Sequence, residues 1–144
     1  MNKKSAGFIF TLLSMVLAMA SVAAYLINCR TEYFSKFGID KILILVIAAG
    51  ILLQAVSLIT GGKTRKIWLD ILPVASCAFM TAGAVQFLGA RINEIAFIMT
   101  FQKNSNTLAD MKSAVAGILL IFAAVFAGWI SSFFDMNKTE MKTQ

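Results

Sequence analysis

A chain of 144 residues that is 59% hydrophobic and only 14% charged holds more apolar area than a soluble fold of that size can hide, and it is too hydrophobic for disorder. The net charge of +6 does not imply a nucleic-acid partner, because the cations are scattered between apolar runs and form no basic face. There is no His, which removes the commonest general base and metal ligand, and two Cys without His make a poor zinc site.

Four uncharged runs follow along the chain: Ser5 to Cys29, Ile42 to Gly62, Ile71 to Ala90 and Ser113 to Phe134, of 25, 21, 20 and 22 residues. About 20 helical residues cross a hydrocarbon core of about 30 Å, and a helix satisfies its own backbone inside lipid. The runs do not alternate, so a β-barrel is excluded. The expected fold is all-α: a single integral membrane four-helix bundle over residues 1–144, with spans at about 6–28, 42–60, 67–90 and 113–134. The first run has a rival reading as a signal peptide, with Lys3 and Lys4 before it and Ala18-Met19-Ala20 as a cleavage-like triplet. Its length exceeds the apolar stretch of such peptides, and Asn28 stands before Cys29 where a lipoprotein box needs a small residue. Retention as a helix is expected.

The connections set the orientation. With the N-terminus cytoplasmic, the inner side holds Lys3, Lys4, Lys63, Arg65, Lys66, Lys138 and Lys142. The outer side holds Arg30, Lys36, Lys41, Arg91, Lys103 and Lys112. The counts nearly balance, but Gly61 to Lys66 packs three cations with no acid, whereas Glu32, Asp40, Glu94 and Asp110 dilute the outer loops. Both termini are therefore expected on the cytoplasmic side. Trp68 and Trp129 then fall near the inner interface, and Tyr25 and Tyr33 near the outer one. Ile95 to Phe101 is apolar but too short to span. It either extends the third helix as a short helical extension on the outer face or lies on the interface. Thr107-Leu108-Ala109-Asp110 resembles a capping box with Asp in place of Glu, which predicts a fourth-helix start near Thr107. The tail from Asp135 is expected to fray.

Six polar positions are candidates for function. Asp70, in Ile67-Trp68-Leu69-Asp70, reads either as an ion or proton site or as a first-turn carboxylate favoured by the helix dipole and by Lys66 four residues back. Arg91, Asn93 and Glu94 form an outer polar cluster or an interfacial anchor, and Arg91 and Glu94 are spaced to pair along one helical face. Gln54 and Gln86 are the most deeply embedded polar residues. Each reads as interhelical glue, at depths too different for them to pair with each other. Small residues recur at four-residue spacing in Ala20/Ala24, Ala78/Ala82, Ala123/Ala127 and Ala124/Gly128, a pattern that lets helices approach closely. Pro73 marks the first turns of helix three. Cys29 at the rim and Cys77 within helix three are too far apart in depth for a disulfide. Outside the spans, Tyr33, Phe34, Phe37, Phe97 and Phe101 form an apolar surface that spanning does not explain, which marks it as a candidate partner surface.

At Tyr33-Phe34 to Gly38 and Asp40, at Trp68 to Pro73, and at Gly89-Ala90-Arg91-Ile92-Asn93, the chain resembles a group of small uncharacterised four-span membrane proteins of Gram-positive bacteria. The resemblance covers nearly the whole chain. It implies a bacterial plasma membrane and no particular mechanism.

No catalytic set is visible: no Ser-His or Cys-His pairing, no phosphate loop, no acid pair at one depth. No enzymatic activity and no cofactor or metal are expected. The leading expectation is a non-enzymatic accessory or structural subunit of a membrane complex, with a membrane-protein partner or a second copy of itself. The alternative is a small homo-oligomeric channel or transporter lined by Asp70, Gln54 and Gln86.

Overall fold

The computed structural model describes residues 6–60 and 67–134, of which 67–70 are described as backbone alone. Lys3, Lys4, the basic turn from Gly61 to Lys66 and the tail from Asp135 lie outside the described residues, as do the side chains of Trp68 and Asp70. Four helices make up the fold: α1 (Ala6–Asn28), α2 (Lys41–Thr60), α3 (Ile67–Phe101) and α4 (Ser105–Ser132), with a 3-10 turn at Phe34–Phe37 between the first two. Each of the four is long and apolar enough to cross a membrane, and the chain has the architecture of a small polytopic membrane protein.

Local chemistry sets the helix ends. Asp40 caps α2, its Oδ1 accepting from the backbone N–H groups of Ile42 (3.0 Å) and Leu43 (3.2 Å) and so filling two of the donors that every helix start leaves open. Just before it, Gly38 takes a left-handed φ of 69°, where a side chain would be strained. The capping box of α4 lies three residues before its expected position. Asn104 is the cap, accepting from Thr107 N at 2.9 Å, and Thr107 is the third helical residue that bonds back to Asn104 N at 3.2 Å. Asn is as good a cap as Thr, and taking it adds two residues ahead of Thr107 to α4. Helix α3 continues without a break from Ile67 to Phe101, so Ile95 to Phe101 is helical. At 1.5 Å per residue its 35 residues extend to about 52 Å, well beyond a core of about 30 Å.

The helices are arranged so that α1 packs chiefly on α4, α2 on α3, and α3 on α4, with a lighter contact between α1 and α2. The buried residues of α1 are Gly7, Thr11, Ser14, Ala18, Ser21, Tyr25 and Asn28, a strict alternation of four and three. The buried set of α4 (Ala114, Gly117, Ile121, Ala124, Gly128, Ser131 among them) repeats in the same way. That spacing is the antiparallel relative of a coiled-coil seam. Of the small-residue pairs, Ala124/Gly128 lies in this seam, whereas Ala78, Ala82 and Ala123 are exposed. Across the four spans the exposed side chains of the described residues are predominantly apolar: Ile9, Leu12, Leu13 and Val16 on α1, Leu45 and Leu52 on α2, Val74 and Val85 on α3, Leu119 and Phe126 on α4. Thr11, Ser14, Ser21, Gln54, Ser57, Ser76 and Ser131 are turned inward.

Candidate functional site

Polar atoms inside the bundle fall into two groups. The first is a ladder along α1 and α4. Thr11 and Ser131 are hydroxyl partners, with the Gly7 carbonyl within reach of both at 2.8 and 3.3 Å. Ser14 donates to the carbonyl of Ala124 at 2.7 Å, and Ser21 to that of Gly117 at 2.9 Å. Asn28 donates to Asp110 O (3.2 Å) and to Ser113 Oγ (2.9 Å). Ser14, Ser21 and Asn28 stand seven residues apart, so one stripe supplies three of the four rungs. Sequence reasoning concentrated on the two glutamines and passed over these small hydroxyls, although the seven-residue spacing of Ser14, Ser21 and Asn28 was there to be read.

Gln54 joins this ladder from α2. Its Nε2 donates to Ser14 Oγ at 2.8 Å, so a relay of two bonds ties α2 to α1 and α1 to α4. Its Oε1 is buried without a hydrogen-bond partner. Beside it lies a cavity of about 10 Å³ lined by Thr11, Gln54, Ser57, Pro73, Ser76, Cys77, Gly128 and Ser131, about the room that one water needs. Ser76 on the same wall donates to the Gly50 carbonyl at 3.1 Å and links α3 to α2. Gly128 forms part of the same wall, where a Cβ would stand 3.3 Å from Ser14 Oγ, a tight contact, and 3.5 Å from both Cys77 Sγ and Gln54 Nε2. The cavity's lining is neutral among the described residues. It can hold a hydrogen-bonding guest but offers no acid or base for proton transfer.

The second group forms a head at the end of the bundle that carries residues 29–40. Its centre is Arg91, which is 2% exposed and therefore not a surface anchor. The guanidinium lies over the rings of Tyr25 (5.2 Å) and Phe34 (4.9 Å), and Nη2 donates to Cys29 Sγ at 3.0 Å. Its Nε has no partner. Arg91 and Glu94 do not pair. Glu94 Oε2 accepts from the Tyr33 hydroxyl at 3.0 Å instead, because the 3-10 turn places Tyr33 and Phe34 over α3 and separates the two charges. Tyr33 N donates to Asp110 Oδ2 at 3.0 Å, which fastens the same turn to α4. Burial, followed by the hydrogen bond and charge of Glu94, raises the Tyr33 phenol above its ordinary range. Gln86 bonds to Asp40 Oδ2 at 3.1 Å, linking α3 to the cap of α2, so the two glutamines have separate partners. Asn93 is exposed.

Two aromatic placements correct the sequence expectation. Tyr25 is 1% exposed and does not belong to an interfacial belt. Its ring meets Phe87 edge-on at 5.0 Å, and its hydroxyl accepts from Asp40 N at 2.8 Å. Phe34 is fully buried, packed with Ile98 and Ala114, and Tyr33 is half-buried. The apolar surface of the head is therefore Phe37, Phe97 and Phe101 (51%, 43% and 73% exposed), the last two in ring contact at 5.3 Å. Both cysteines are free. No known protein family matches the chain, and neither a curated protein nor a solved structure matches it.

Proposed function

We propose that this small polytopic membrane protein is a non-enzymatic accessory or structural subunit of a membrane complex. In this reading it sits in a bacterial plasma membrane with both termini on the cytoplasmic side and the head facing out. One observation carries the reading. The buried polar side chains Ser14, Ser21, Asn28, Gln54 and Arg91 are engaged inside the chain, while the exposed side chains of the spans are predominantly apolar. The bundle interior thus leaves room for about one water beside Gln54 and no continuous polar path among the described residues. An oligomer built on the outer faces would line a pore with Ile, Leu, Val and Phe. By contrast, Phe97 and Phe101 stand on the last turns of α3, beyond the length needed to span, and they are exposed. Large aromatics of this kind anchor protein interfaces.

The test is photocrosslinking from position 97 or 101 in native membranes, with the exposed Phe79, near the middle of the α3 span, as the control. The expected result is one recurrent protein adduct from the head positions and lipid adducts from the control. Lipid adducts alone from all three positions, under several growth conditions, would overturn the proposal. Liposome flux with the wild type and Asp70→Asn separates the channel reading, which requires flux that the substitution changes.

A further inference from the structure

The contact between α1 and α2 is the lightest of the four that join neighbouring helices, and it leaves a groove of about 290 Å³ lined by Met19, Val22, Ala23, Leu26, Ile44, Ala48 and Ile51, near the lower size limit of small-molecule sites. The α1 wall follows the spacing 19, 22, 23, 26, and Arg30 stands in the turn that follows, two residues past the end of α1. On the α2 wall the spacing is 44, 48, 51, with Lys41 one turn before it. A cation therefore stands beyond each stripe at the head end of the groove. Arg30 and Lys41 are exposed, and no ion pair involves them among the described residues. Asp40, the nearest acid in sequence to Lys41, has both carboxylate oxygens engaged by Ile42 N, Leu43 N and Gln86.

We propose that this groove binds an anionic phospholipid of the surrounding bilayer, with one acyl chain between α1 and α2 and the phosphate between Arg30 and Lys41. Depth decides for a lipid. From Lys41 to Ile51 is ten residues, about 15 Å of helix rise, which is one leaflet of a core of about 30 Å. The lining is apolar throughout, and the two cations stand where a headgroup lies. Each cation near an anionic lipid favours it by about fivefold, so the pair gives about 25-fold over a lipid without net charge. Ile39 and Phe37, both 51% exposed beside Lys41, add apolar contacts at the same level. A second copy of the chain seated on the groove would bring its own Arg30 and Lys41 against the apolar rim or leave these two cations without an anionic partner, whereas a lipid phosphate pairs with both.

The experiment is native mass spectrometry of the purified full chain, offered equal amounts of phosphatidylglycerol and phosphatidylcholine with identical acyl chains. The wild type is expected to retain the anionic lipid at least tenfold more. The double variant Arg30→Gln/Lys41→Gln is expected to bind both lipids equally, and Ala48→Phe, which fills the groove, to lose both. Helix content by circular dichroism identifies any variant that fails to fold, and Ala23→Leu then replaces Ala48→Phe. Equal retention of the two lipids by the wild type overturns the proposal. So does a preference that survives the double charge variant, or a Leu26→Cys disulfide dimer that forms at the expense of lipid adducts.

Discussion

The α1–α4 seam and the head around Arg91 both bury polar atoms, and they do so by opposite means. In the seam most of the facing residues are Gly, Ala, Ser and Thr, the helices approach closely, and the hydroxyls of Ser14 and Ser21 reach backbone carbonyls on the other helix. In the head the space is filled by Tyr25, Phe34 and Phe87, and the polar group is one guanidinium laid across two rings. Lipid tails are as apolar as Leu, so a membrane bundle gains little from merely turning apolar side chains inward. Its helices associate through close packing and interhelical hydrogen bonds. The seam uses that route. The head uses large side chains in place of close approach, and its polar atom is held by ring faces and one sulfur.

The comparison can be broken first at the joint between the regions, where Gly117 of the seam meets Phe87 of the head. A Cβ at 117 would stand 2.7 Å from Phe87 Cζ and 2.9 Å from Cε1, and that ring is fully buried against Tyr25. Gly117→Val is expected to cost up to about 3 kcal/mol by overpacking, measured by denaturation in mixed detergent micelles. Gly89, with nothing within 4 Å of a Cβ, is the control, and Gly89→Ala is expected to leave stability unchanged or slightly improved. Equal losses at the two sites would mean that close approach is not what holds the seam.

Within the seam the rungs are unequal. Ser14 accepts from Gln54 as well as donating to Ala124. Ser14→Ala then leaves the Gln54 amide with neither of its polar atoms paired, a penalty of about 1–3 kcal/mol. Ser21→Ala removes a single bond, worth about 0.6 kcal/mol between membrane helices. A double-mutant cycle of Ser14→Ala with Gln54→Leu sharpens the point. The second substitution is expected to recover much of the first one's loss, and simple additivity would refute the relay.

The head answers differently to substitution. Arg91→Lys keeps the charge but loses the flat guanidinium that stacks on both rings, and each such stack is worth about 0.5–2 kcal/mol when desolvated. Arg91→Met keeps an apolar stem and removes a buried charge whose Nε is unpartnered, a change that is often close to neutral. The expected order of stability is wild type, then Met, then Lys, with about 1 kcal/mol between the last two. If Lys proves the more stable, charge rather than stacking is what the site requires.

The legible and illegible parts of the molecule divide along the same line. Run length and hydropathy mark four helices, because crossing lipid constrains every residue of a span. The depth difference of Gln54 and Gln86 follows from helix rise alone. What could not be read was the path of residues 29–40. Nothing local says that Tyr33 and Phe34 fold back over α3, so Arg91 reads as an anchor and Glu94 as its partner until that turn is placed. Phe34 looked like surface for the same reason. The seam was missed for another cause: Ser and Thr are common in loops, and within a span they carry information only through the seven-residue period that links Ser14, Ser21 and Asn28.

The smallest expected effect tests the contact that fastens the head's 3-10 turn to α3. Tyr33 donates to Glu94 at 3.0 Å, and burial together with that carboxylate favours the neutral phenol in the fold. In the unfolded chain the phenol ionises near pH 10. The folded protein therefore holds the proton more tightly, and this contribution is fully present below about pH 10 and is lost as the pH rises through the higher folded value. Tyr33→Phe removes both the bond and its titration. The stability gap between wild type and variant is expected to stay constant from pH 8 to about 9.5 and to narrow above it. Tyr25 is retained in both proteins, so its own titration cancels in the difference. Parallel curves across the whole range would show that the Tyr33–Glu94 bond does not hold the turn on α3 and that the aromatic packing of Phe34 is sufficient.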